Sequence, residues 1–145
     1  MTRKYPIAAA AIMVLLSAEV EMAAAQDASA SQLCAITQLL ECIDGDACYA
    51  IAPERIGAPR FLRVENDGQQ IRNPQTDSQA PGATVVHSER IDGKLILQGT
   101  DPGVEDLRDG VAWSVAIVED AGSMVLTAAG EKVAYVAFGD CLAMD

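Results

Sequence analysis

The stretch that decides the fold is Lys94 to Cys141, KLILQGTDPGVEDLRDGVAWSVAIVEDAGSMVLTAAGEKVAYVAFGDC. Within it, Val111, Trp113, Val115 and Ile117 fall on one face of an extended chain, and Ala112, Ser114, Ala116 and Val118 fall on the other. That two-residue period is the pattern of a strand with one buried face. Lys94 to Thr100, Met124 to Ala128 and Lys132 to Phe138 read the same way, separated by Asp- and Gly-containing turns. The stretch is therefore four strands in succession, with the last cysteine just after the fourth. Trp113, Val115 and Ile117 are expected in the core, beside Leu97 or Ile96 of the preceding strand.

Working outward, Thr84 to Ile91 is joined to Lys94 by Asp92-Gly93, the clearest hairpin signal in the chain. Before it, Asn73 to Gly82 (NPQTDSQAPG) has two prolines and no apolar run, which makes it an exposed loop. Phe61 to Glu65 alternates as a short strand, and Asn66-Asp67-Gly68 turns it so that Gln69 to Arg72 can pair back. Ala52 to Arg60 contains Pro53 and Pro59 and is a connector, because proline lacks the N–H that a central strand needs. Leu33 to Cys42 fits a helix with Leu33, Ile36, Leu39 and Leu40 on one face. It also fits a strand with Cys34, Ile36, Gln38, Leu40 and Cys42 on one side. The turn signal Asp44-Gly45-Asp46, with Cys48 six residues after Cys42, favours a strand followed by a cross-linked hairpin.

Eight strands result, joined mostly by connections too short for parallel crossovers. The predicted class is all-β: an antiparallel meander that forms a small eight-stranded up-and-down barrel or a strongly curved sheet. Closure makes the first and last strands neighbours, so Cys34 is expected to pair with Cys141, and Cys42 with Cys48. Zinc is a poor alternative for these four cysteines, since there is no C-x-x-C pair and only one histidine, His87. A redox role for Cys42 and Cys48 is disfavoured by their spacing and by the acidic loop between them.

The N-terminus gives the address. Arg3 and Lys4 precede the apolar run Ile7 to Leu16, and Ala23-Ala24-Ala25 follows, the layout of a secretory signal peptide cleaved after Ala25. Glu19 and Glu21 end the run short of a membrane span. The expected organisation is a signal peptide over 1–25, a mobile lead-in over 26–32 and one disulfide-stapled domain over 33–145. An even cysteine count in an exported chain implies an oxidising compartment, periplasmic or secreted, with no stable membrane insertion after cleavage. The chain's net charge of −11 is kept after cleavage, since 1–25 carries two basic and two acidic residues. Such a surface repels nucleic acid and anionic membranes, and the partner it favours is a basic protein.

Beyond these readings, the elements Cys34, the run Glu41-Cys42 with Asp44-Gly45 and Cys48, PRFLRV (59–64), LILQG (95–99), Trp113-Ser114, Gly122 with Met124, and Phe138-Gly139 with Cys141 are spread over most of the mature chain. With these elements the chain resembles a group of small exported proteins of alphaproteobacteria. The resemblance implies an exported β-rich domain and brings no catalytic residue to any position here. The general layout is also similar to periplasmic barrel modules such as the lysozyme inhibitors, with no inhibitory motif to match.

Candidate chemistry is sparse. His87 lies in TVVHSERI, where Ser88 points to the opposite face of the strand and so cannot complete a triad with it. Asp101, Glu105, Asp106 and Asp109 form an oxygen-rich loop whose spacing matches no EF-hand. They are read as solvated and as the candidate contact surface; Asp44 and Asp46 are read as a solvated turn. No catalytic set, cofactor or metal site is indicated. The expected function is a non-catalytic exported binding module, inhibitor-like or envelope-associated. A carboxylate-based hydrolase at the barrel mouth and a carrier of small apolar ligands are the alternatives.

Overall fold

A computed structural model describes residues 31–65, 68–76, 83–103, 107 and 109–144. The strands are β1 (Ser31–Ile43), β2 (Cys48–Ile51), β3 (Phe61–Glu65), β4 (Gln70–Arg72), β5 (Ala83–Ile91), β6 (Lys94–Asp101), β7 (Val111–Val118), β8 (Ser123–Ala129) and β9 (Val133–Met144). All pair antiparallel with their neighbours in sequence, except that β1 pairs with β2, β3 and β9. The β1–β9 pairing closes an eight-stranded barrel of β1 and β3–β9, while β2 is a flap on β1 outside the circuit. The signal peptide expected over 1–25 lies outside the described residues.

Closure works because β1 has two edges to offer. One runs along β9 from Ser31↔Met144 to Ile43↔Val133. The other is divided: Gln32 to Ala35 face β3, and Leu39 to Cys42 face β2. Both disulfides join residues directly opposite in register, with Cα–Cα separations of 3.9 Å for Cys34–Cys141 and 4.1 Å for Cys42–Cys48. The expected fold class and both pairings hold. Two disulfides require an oxidising environment to persist. Among the described residues no helix is long and apolar enough to cross a membrane.

Two expectations need correction, and one open alternative is settled. Ser31 and Gln32, read as lead-in, already belong to β1, because β9 continues to Met144 and gives them a partner strand. The alternation read along Leu33 to Cys42 breaks at a bulge between Ile36 and Gln38. A bulge inserts one extra residue and shifts the phase of everything after it. Thr37 is that residue, and its Oγ1 donates to the Phe138 carbonyl at 3.1 Å. Cys34 before the bulge and Leu39 after it are therefore both buried, while Gln38 is exposed. Beside Trp113, Val115 and Ile117 the core takes Leu97 and Leu95, and Ile96 faces outward.

Large apolar side chains pack in the interior. Leu95, Leu97, Val115, Ile117 and Met124 are at most 2% exposed, and Trp113 packs among them. An eight-stranded barrel is just wide enough for side chains to fill. At Gly99 the wall yields to the indole, since a Cβ there would run into the Trp113 ring and the Thr84 carbonyl. The Asp92-Gly93 hairpin adopts positive φ at both positions, 51° and 69°, as a two-residue type I′ turn requires.

Candidate interaction surface

In an up-and-down barrel, alternate connections lie at the same end. At one end here are the β4–β5 connection and, touching in turn, the β1–β2 turn, the β8–β9 turn and the β6–β7 loop. The Asp44 amide donates to the Lys132 carbonyl at 2.9 Å. A Cβ on Gly130 would meet the Val111 side chain at 3.4 Å and the Gly110 carbonyl at 3.7 Å. Glu41, Asp44, Asp46, Asp101, Asp109 and Glu131 thus share one rim. Lys132 is the one cation that these three connections contribute among the described residues.

Local geometry fixes several of these carboxylates. Asp46 accepts from the Tyr49 hydroxyl at 2.7 Å and from the Ala47 amide at 2.8 Å. The Tyr49 hydrogen bond, and then that of Ala47, hold the Asp46 carboxyl below its usual range, and the same contact raises the Tyr49 phenol. Asp101 Oδ1 accepts from the Gly103 amide at 2.9 Å. Gly103, with φ of 70°, leaves room for the Asp109 carboxylate, which a Cβ there would strike. Tyr135 donates to Glu41 at 3.4 Å, and burial, then the Glu41 charge, raises its phenol. Tyr49 and Ile43 add exposed apolar surface to the rim. Tyrosine of this kind, apolar with a polar tip, is enriched in protein interfaces.

Of the residues expected to form a contact surface, Asp101 and Asp109 are brought together on this rim. Glu105 and Asp106 lie outside the described residues. Asp44, Asp46 and Glu131 join the rim although each, read alone, is a turn residue. The signal that finds them is barrel closure, which gathers these connections at one end. His87 sits elsewhere, half-exposed on β5, with its Nε2 3.2 Å from the Glu89 carboxylate. Ser88 lies opposite Leu97 on the other face of the strand, so the two do not converge. All four cysteines are in disulfides. Among the described residues no group of three His, Cys, Asp or Glu side chains is placed to hold a metal ion.

The basic residues are arranged differently. Arg60 pairs with Glu54, Arg72 with Glu65 at 3.3 Å, Arg90 with Glu119 at 2.8 Å and Lys94 with Asp92 at 3.2 Å. These ion pairs fall on β3–β6, on the segment preceding β3 and on the β7–β8 turn. Comparisons with protein-family models, with curated proteins and with solved structures found no match.

One rim contact has a direct test. Tyr49→Phe is expected to move the Asp46 titration upward, toward the usual carboxyl range, as read by side-chain NMR against pH. The folded-state pKa is depressed, so the stabilisation is present above the unfolded pKa and is lost as pH falls through the folded one. An unchanged Asp46 titration in Tyr49→Phe would show that the hydroxyl does not hold the carboxylate.

Proposed function

We propose that the domain is a non-catalytic binding module of the periplasm or extracellular space, and that it recognises a basic protein through its acidic end. One observation carries the reading: three connections, distant in sequence, merge their carboxylates into a rim to which they bring only Lys132 as a described cation. A field of one sign accelerates encounter with an oppositely charged partner and selects against like-charged ones. The packing of Leu95, Leu97, Trp113, Ile117 and Met124 inside the barrel speaks against a carrier of apolar ligands. Ser88 lies on the opposite face of β5 from His87, which speaks against a Ser–His pair on this strand. The resemblance to small exported proteins agrees with this address.

Calorimetry with a basic protein such as lysozyme tests the proposal. Binding is expected at low ionic strength and is expected to weaken as salt rises. Asp44→Lys with Glu131→Lys should weaken it by at least about tenfold. The control Glu89→Lys with Asp120→Lys makes the same charge change away from the rim and should have a much smaller effect. Equal losses from both pairs would reduce the rim to net charge alone. Substrate turnover abolished by a single Asp or Glu substitution would replace the proposal with the hydrolase.

A further inference from the structure

The outer wall next to the acidic rim carries no charge at all over three successive rows. Strand register sets Ala116, Val125, Phe138 and Gln38 side by side on the outside of β7, β8, β9 and β1. The next row toward the rim contains Thr127 and Val136, flanked by Ser114 and Leu40. The third is alanine on β7, β8 and β9 and ends at the Cys42–Cys48 bridge, two residues before Asp44. These are the outward positions, because their neighbours along the strands, Val115, Met124 and Ala137, are buried. Val125 and Phe138 are 40% and 39% exposed. A solvent-facing wall without one ionisable side chain is unexpected in a chain of net charge −11. Exposed apolar side chains such as Val125 and Phe138, gathered on one face with no ionisable group among them, offer a contact surface.

Resting on the proposed function, we infer that the partner segment is a cationic amphipathic helix. Its apolar stripe lies on this wall, and its basic residues reach the carboxylates of the rim. Charge complementarity selects this occupant. A second copy would bring its own charge of −11 to the interface. An anionic membrane surface would be repelled by the rim, and a purely basic segment would leave the wall uncovered. The dimensions agree: three rows on four strands span about 14 Å in each direction, and a helix with its side chains is about 10–12 Å across. The small residues of the third row keep the wall low where the chain must pass from apolar contact to the rim.

Two synthetic probes of equal charge separate the contributions: a helical peptide of leucine and lysine in amphipathic order, and an oligolysine. Fluorescence anisotropy of the labelled peptides against the mature protein gives the affinities. Val125→Ser with Phe138→Ser is expected to weaken the amphipathic peptide at least about tenfold and to leave oligolysine unchanged. Asp44→Lys with Glu131→Lys should weaken both. Leu40→Gln repeats the wall test at a single half-buried position, and thermal melts confirm that each variant is folded. If wall variants leave the amphipathic peptide unaffected while rim variants weaken it, the wall is not part of the footprint and the acidic-end proposal stands. If neither probe binds the unsubstituted protein, both fail. A dimer in sedimentation velocity that Phe138→Ser dissociates would assign the wall to a second copy and overturn the inference.

Discussion

Replacing Cys34 and Cys141 together by alanine is expected to lower the unfolding free energy by about 4–5 kcal/mol. The bridge spans 107 residues of sequence, and on the chain-entropy account a cross-link of that span restricts the unfolded chain by about 4.7 kcal/mol. Cys42–Cys48 spans only 6 residues, for which the same relation gives about 2 kcal/mol. The long bridge also lies in the core, with Cys34 0% exposed and packed in the buried cluster, whereas Cys48 is exposed. Domains of this size are stable by about 5–15 kcal/mol, so the long bridge accounts for a large share of the total. Urea unfolding of the two double alanine variants checks the ordering. Equal losses would show that closing the barrel by its ends adds nothing beyond a local staple.

That pairing was legible because it follows from topology alone. Strands joined by short turns must wrap in order, and the only long-range contact they then demand is first strand against last. The Asp92-Gly93 hairpin was legible for a local reason: both positions need positive φ, and few dipeptides accept that. The bulge at Thr37 was not legible. There β1 carries one residue more than β9 does, and no residue near Thr37 marks the extra one. The choice of Leu97 over Ile96 was equally hidden, since both are large and apolar and only register decides which one turns inward. The rim was half legible. Asp101 and Asp109 announce themselves as an acidic loop, but Asp44, Asp46 and Glu131 matter through their neighbours across the barrel end, which are remote in sequence. The charge-free wall is the least visible of all. It consists of alternate residues on four strands, and it becomes a surface only once the pairings set those residues in rows.

Trp113→Ala is expected to destabilise the domain by about 3–5 kcal/mol, the range for emptying a large aromatic from a packed core. The indole is 9% exposed, sits in the main buried cluster and rests against Gly99, so no neighbouring wall can collapse into the space without moving β6. Its Nε1 is buried with no hydrogen-bond partner among the described residues, and an unpaired buried donor costs about 1–3 kcal/mol. Trp113→Phe removes that donor while keeping an aromatic ring in the space, so it should lose much less than Trp113→Ala. Gly99→Ala provides the complementary test from the other side. Its Cβ would strike backbone at Thr84 as well as the ring, and backbone cannot turn away as a side chain can. In the double variant Gly99→Ala with Trp113→Phe, only the clash with the ring is relieved, so some of the loss should remain. Thermal and urea unfolding of this set decides the matter. A Trp113→Ala protein as stable as the parent would mean that the indole does not fill the barrel interior.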